Sequence, residues 1–310
     1  VRLLRAGCVI FEPNQPLALI KIAPNAMNSI VIEHDDWLLS IRPDLGACVE
    51  ALQWRGVDVL RSSEPGSLSN VRLSGNYPLV PFSNRVAHAQ LVWNGTSHPL
   101  VKNFPGEEHS IHGVGWKRAW ELLDVQTDSC MLSFEHAADA AWPFAFDASQ
   151  TFRLHGNQLT MLLSITNQSD RDAPVGLGWH PYFVKRSQSH LSFAAQGMWA
   201  MGDDKLPTAL QSSEGLSQAC ADLVVDNCFE QWSGQALLTD ERMRVKLESD
   251  VKRLVVFTHP EKDFIAIEPV SHVNNAMNLG NAKESEKQGV VILGAGQSHQ
   301  ISMTISVDLI

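Results

Sequence analysis

The sequence predicts an all-β fold, a large sandwich or barrel built from many short strands with few short helices. Three observations point there. Apolar and polar residues alternate with period two along most of the chain, Gly-, Asn- and Pro-containing turns separate the alternating runs, and no segment longer than a few turns has helical periodicity. With 310 residues, an apolar fraction of 44% and a charged fraction of 19%, there is material for one extensive core rather than a disordered chain.

Taken in order, the first 26 residues carry Pro13, Pro16 and Pro24 and read as an N-terminal appendage, with an extra edge strand as the other reading. Residues 27–310 show no break in composition and no Gly/Ser linker, so they read as one domain. Strands are expected at 30–32, 37–41, 48–54, 119–125, 130–135, 148–153, 191–195, 254–258 and 264–267. Asn94-Gly95 after Leu91-Val92-Trp93 marks a hairpin, because both residues tolerate the positive φ of a type I′ turn. Leu159, Met161, Leu163 and Ile165 alternate with Thr160, Leu162 and Ser164 after a His155-Gly156-Asn157 turn. Met243, Val245 and Leu247, and Ile301, Met303, Ile305, Val307 and Leu309, follow the same rule for strands with one wet face. Residues 203–222 are polar and poor in β-branched side chains, and read as a long loop or a short helix.

Charge and cysteine content exclude several functions. Acidic residues (34) outnumber Lys and Arg (24), giving a formal charge of −10, and no basic run exists to neutralise a phosphate backbone, so no nucleic-acid partner is expected. No apolar run is long enough for a membrane-spanning helix, and Glu12, Pro13 and Asn14 interrupt the N-terminal apolar patch too early for a signal sequence. The five cysteines are an odd set without metal-ligand spacing; Cys48 and Cys130 fall in apolar alternating runs where buried thiols are ordinary. A cytoplasmic protein without membrane, metal or cofactor, monomeric or weakly dimeric, is the expectation. Walker, HExxH and GxSxG motifs are absent, and Gly176-Leu177-Gly178 lacks the third glycine of a dinucleotide loop.

Four segments combine polar and aromatic residues beyond what a core requires. Pro78-Leu79-Val80-Pro81-Phe82-Ser83-Asn84-Arg85 is stiffened by two prolines and ends in an amide and a guanidinium suited to oxygen-rich ligands. His109-Ser110-Ile111-His112-Gly113-Val114-Gly115-Trp116 places histidines in a glycine-punctuated loop beside an indole. In Gly178-Trp179-His180-Pro181-Tyr182-Phe183 a proline follows the histidine and restricts it, and Phe264-Ile265-Ala266-Ile267-Glu268-Pro269 ends an apolar strand in a carboxylate. Singly, each of these reads more simply as turn punctuation, a satisfied core histidine or a solvated strand end.

Together, PFSNR, HSIHG, GWHPYF and EPVSH, in this order and spacing, resemble the aldose 1-epimerase (galactose mutarotase) family, and its bacterial mutarotase-like branch in particular. The resemblance runs from about Met27 to the Gly294-Ala295-Gly296-Gln297 loop and the last strand. It implies a galactose mutarotase-like antiparallel supersandwich and a small-molecule sugar as partner. It also implies His180 as catalytic acid, Glu268 as catalytic base, and Arg85 and His112 as substrate-holding groups. The family's sugar-binding aspartate falls on Asp226, with Asp222 as the neighbouring alternative; Asn84 supports Arg85 or the sugar, and Trp116 or Trp179 offers an indole face to the ring. The activity implied is interconversion of the α and β anomers of a free aldose. A hexose-6-phosphate mutarotase would want clustered cations, and beyond Arg85 the four segments show only Lys117 and Arg118. A non-catalytic sugar binder would need no acid–base pair.

Overall fold

The computed structural model describes residues 21–22, 29–279 and 281–310. Every strand pair is antiparallel, and two large sheets dominate. The longer has nine strands, in the order Glu121–Val125, Ser129–His136, Phe146–His155, Gln158–Asn167, Ser298–Leu309, Met243–Ser249, Gln235–Thr239, His190–Ala194 and Gly215–Ala219. The alternation read from the sequence is its pleat. Leu159, Met161 and Leu163 lie opposite Ile305, Met303 and Ile301, and all six are fully or nearly fully buried. Side chains one position along face out: Thr160 meets Thr304 and Ser164 meets Ser149 through their hydroxyls. The Asn94-Gly95 turn joins Gln90–Trp93 to Thr96–Pro99 with both residues at positive φ.

The second sheet carries the site. Its strands run Pro207–Ser212, Gly197–Met201, Val225–Glu230, Arg253–Thr258, Phe264–Val270, Gly178–Trp179 and Pro78–Leu79, and Tyr182–Val184 also pairs with Phe264–Val270. A smaller sheet of five strands contains Ile30–His34, Trp37–Arg42 and Cys48–Trp54, with Lys21–Ile22 paired onto Ile30–Val31 at one edge. Residues 1–20 and 23–26 of the expected appendage lie outside the described residues. One apolar core runs through all three sheets. Polar side chains stitch the two large ones together: Gln150 accepts from the Trp179 indole at 2.9 Å and donates to the Ala47 carbonyl at 3.0 Å.

The region 203–222 differs from expectation. It forms two strands, Pro207–Ser212 and Gly215–Ala219, which edge the second and the nine-stranded sheet respectively. Both are largely exposed, so ladder hydrogen bonds hold them and no apolar alternation is needed. Among the described residues the one α-helix is Ala282–Lys287, capped by the Asn281 side chain on the Glu284 amide. Among the described residues no helix is long and apolar enough to cross a membrane.

Candidate active site

Strand register assembles one wall of the site. Val255 lies opposite Glu268, while Asp226, Phe257, Ala266 and Tyr182 form the adjoining cross-strand row. With a side-chain period of two, Asp226, Val255, Phe257, Glu268, Phe264 and Tyr182 therefore share one face, and all line a cavity of about 670 Å³. That is within the usual range of small-molecule pockets. His180 enters from the bend between Gly178–Trp179 and Tyr182–Val184, where its amide donates to the Tyr77 carbonyl.

The opposite wall comes from the PFSNR and HSIHG loops. Their backbones are locked by reciprocal hydrogen bonds: the Asn84 amide donates to His112 Nδ1 at 3.0 Å, and the His112 amide donates to the Asn84 carbonyl at 2.8 Å. Both residues sit at positive φ, 53° and 60°, a conformation to which Asn and His are better suited than most. Because His112 Nδ1 accepts, its proton is on Nε2, and the ring is a neutral donor. Burial, with His180 and Arg85 nearby, holds its pKa well below the usual histidine range. The Ser83 amide likewise donates to His272 Nε2, while His272 Nδ1 donates to the Val273 carbonyl, tying PFSNR to EPVSH. Gly176 exists for that ring: a Cβ there would meet His272 Cδ2 at 1.8 Å.

At the centre, His180 Nε2 and Glu268 Oε1 are 3.2 Å apart. Tyr182 Oη is 3.5 Å from the same nitrogen and 3.3 Å from Tyr77 Oη. The Tyr182 ring stacks on His180 at 4.4 Å between centroids. Burial pushes His180 down to about 3 and holds Glu268 well above the ordinary carboxyl range; the Asp226 charge adds to the rise and Arg85 opposes it. An imidazolium acid beside a carboxylate base is the sequence expectation. The buried pair instead favours the uncharged forms, with one proton between two groups in contact. Arg85 is held by a bidentate pair with Glu107 (2.7 and 3.2 Å) and donates to Asn84 Oδ1 at 3.2 Å. Lys205 Nζ stands 3.9 Å from Asp226.

Thus the structure brings His180, Glu268, Arg85, His112, Asp226 and Asn84 to one cavity. It does not bring Trp116 and Trp179 there. Both are fully buried: Trp179 hydrogen-bonds Gln150 in the core, and Trp116 stacks behind Tyr77 at 5.3 Å. Strand alternation explains the first, since the neighbour of a cavity-facing residue must point away. Lys117 and Arg118 also lie outside the lining, and Arg118 pairs with Asp139 instead. Several lining residues carried no sequence expectation, among them Arg61, Arg72, Tyr77, Phe104, Glu107 and Lys262. One available signal was scarcity, because the chain has only two tyrosines and both meet at His180. Among the described residues no cluster of three or more His, Cys, Asp or Glu could hold a metal ion.

The family model for aldose 1-epimerase matches residues 28–306, and the chain belongs to that family. It is 28% identical to the uncharacterized protein YphB of Escherichia coli K12, over 91% of this chain and 99% of that one. A crystal structure from Escherichia coli K12, provisionally described as an aldose 1-epimerase, superposes with a TM-score of 0.82 at 26% identity, covering 91% and 99% of the two chains. A galactose mutarotase-like protein from Clostridium acetobutylicum shares the fold, with a TM-score of 0.82 at 18% identity over 95% and 99%.

Proposed function

We propose that this protein interconverts the α and β anomers of an aldose by acid–base ring opening and reclosure. The observation that carries the reading is the 3.2 Å contact between His180 and Glu268 on the wall of a sugar-sized cavity. Ring opening removes the proton from the C1 hydroxyl, breaks the C1–O5 bond and delivers a proton to O5. Rotation about C1–C2 and reclosure from the other face then return both protons. The net requirement is one proton moved from O1 to O5 and back, and a pair sharing one proton meets it without change in total charge. The shared proton first passes from Glu268 to His180 across their 3.2 Å contact; the Glu268 carboxylate then takes the proton from O1 while the His180 imidazolium gives one to O5, which returns the pair to its uncharged form, and reclosure exchanges the roles. His112 Nε2–H, Asp226 and Arg85 are the hydroxyl-binding groups around the ring.

Saturation-transfer NMR on anomeric mixtures of aldoses tests this. Acceleration of α/β exchange by the native protein, lost in His180→Asn and Glu268→Gln, is the expected result. If those variants alter sugar affinity while the native protein accelerates no exchange, the chain is a binder on a mutarotase scaffold.

A further inference from the structure

Acid–base ring opening leaves one group of charges in the cavity without a task. Arg61 lies 4.1 Å over the Tyr182 ring, which itself stacks on His180. Its Nε and Nη2 donate to the carbonyls of Ser74 and Arg72 at 2.7–3.0 Å, and Tyr182 is its side-chain neighbour. Arg72 stands 4.1 Å over Phe104, and Lys262 is 6.0 Å from the Phe264 ring. None of these three makes an ion pair with a described carboxylate; Asp263 acts on Arg61 only at longer range. The other cations of the cavity contrast with them, since Arg85 faces Glu107 and Lys205 faces Asp226.

The cavity is therefore asymmetric. Arg85, Lys205, Glu107 and Asp226 balance one another, and the surplus of positive charge gathers at the Tyr182 end. This happens in a chain of net charge −10, so overall composition does not account for it. Arg61 is half-buried, and charge held there without a counter-charge costs solvation energy that is recovered when the counter-charge arrives with the ligand; Arg72 and Lys262 are exposed. A guanidinium fixed by backbone carbonyls on the wall of the cavity suits phosphate or carboxylate oxygens. The direction also fits the chemistry. His180 is the group assigned to O5, and the exocyclic carbon of a hexopyranose is attached to C5, next to O5. A substituent there extends on the His180 side of the ring, toward Tyr182 and Arg61.

We propose that Arg61, Arg72 and Lys262 form a subsite for an exocyclic oxyanion, so that the preferred substrate is an anionic aldose such as a hexose 6-phosphate or a hexuronate. This rests on the mutarotase reading. Anomer exchange would be measured for glucose, glucose 6-phosphate and glucuronate, and for the galactose series. At least one anionic sugar is expected to exceed its neutral parent in kcat/KM by about tenfold or more, the equivalent of one charge-assisted contact. That advantage should shrink at about 0.5 M salt, where exposed charges are screened. Arg72→Gln should lower the anionic-to-neutral ratio about tenfold; Arg72 is exposed and its side chain makes no hydrogen bond, so this variant is the one to rely on should Arg61→Gln fold poorly. Preference for the phosphate or for the carboxylate would identify which oxyanion the subsite takes. A native ratio near one, or a ratio unmoved in Arg72→Gln, would overturn the proposal. If no sugar at all is exchanged, the mutarotase reading fails, and calorimetric binding of the same sugars decides the subsite separately. Tighter binding of an anionic sugar, weakened in Arg72→Gln, sustains it, and equal affinities sink it.

Discussion

Two ionisable groups 3.2 Å apart, both driven by burial toward their neutral forms, behave as one unit with a single exchangeable proton. The pH dependence of exchange follows. A second proton would have to go onto His180, whose pKa is depressed to about 3, so activity should persist well below the usual imidazole range near 6.5. The alkaline limb falls where the raised Glu268 carboxyl loses the shared proton, leaving two bases and no acid. A kcat profile that halves near pH 6.5 on the acid side would contradict this. Glu268→Gln and His180→Asn each remove one partner, and each should lower kcat by about 10²–10⁴-fold, the usual worth of a positioned acid or base. Much of the site was legible at this scale, because His180, Glu268, Arg85 and His112 stand in short motifs whose order survives in the chain, while Asp226 lies outside them and stood beside Asp222 as an alternative. What escaped were residues whose role arises only from packing. Glu107 matters because Arg85 reaches it, and Tyr77 because its hydroxyl meets that of Tyr182.

At the level of elements, alternation was readable wherever one face of a strand is dry and the other wet. Cys48–Trp54 and the runs around Met161, Val245 and Met303 emerge where their patterns place them. Alternation fails at the two ends of the burial scale. The exposed edge strands Pro207–Ser212 and Gly215–Ala219 have no dry face to mark them. Phe264–Val270 is buried on both faces except at Phe264, so its pattern does not say which side holds the ligand. Trp179 was misplaced for a related reason: the residue next to a cavity-facing histidine at a strand end points the other way, whereas Trp116 sits in the short 3-10 helix Gly115–Lys117. This is testable at Trp179, where Trp179→Phe leaves Gln150 Oε1 without its donor in the core. That should cost about 1–3 kcal/mol of stability by chemical denaturation. KM for the sugar should change far less than it does in His112→Ala, since His112 lines the cavity and Trp179 does not.

For the whole molecule, the buried titratable groups make a prediction about stability. Burial lowers His180 to about 3 and His272 to about 4, and it holds His112 well below the ordinary histidine range. In the unfolded chain these rings titrate near 6.5. Below that pH the unfolded state binds protons that the folded state refuses, so stability is greatest above about pH 6.5 and falls as the pH drops through it. For His272 alone the loss at pH 5 is about 2 kcal/mol, from a folded pKa of about 4 against about 6.5 unfolded. Glu268 acts in the opposite sense: its raised pKa means the folded state holds a proton that the unfolded state has lost, so its contribution improves as pH falls toward about 4.3. Three histidines against one carboxyl leave a net loss, and the melting temperature should drop by several degrees between pH 7.5 and pH 5 in scanning calorimetry. The sign of the Glu268 share can be read separately. Glu268→Gln removes a carboxyl that favours folding least at high pH, so the variant should gain most over the native protein at pH 7.5 and keep less of that gain at pH 5. A variant whose advantage grows on acidification would mean that Glu268 is ionised in the folded protein, and that the pair carries its proton on His180.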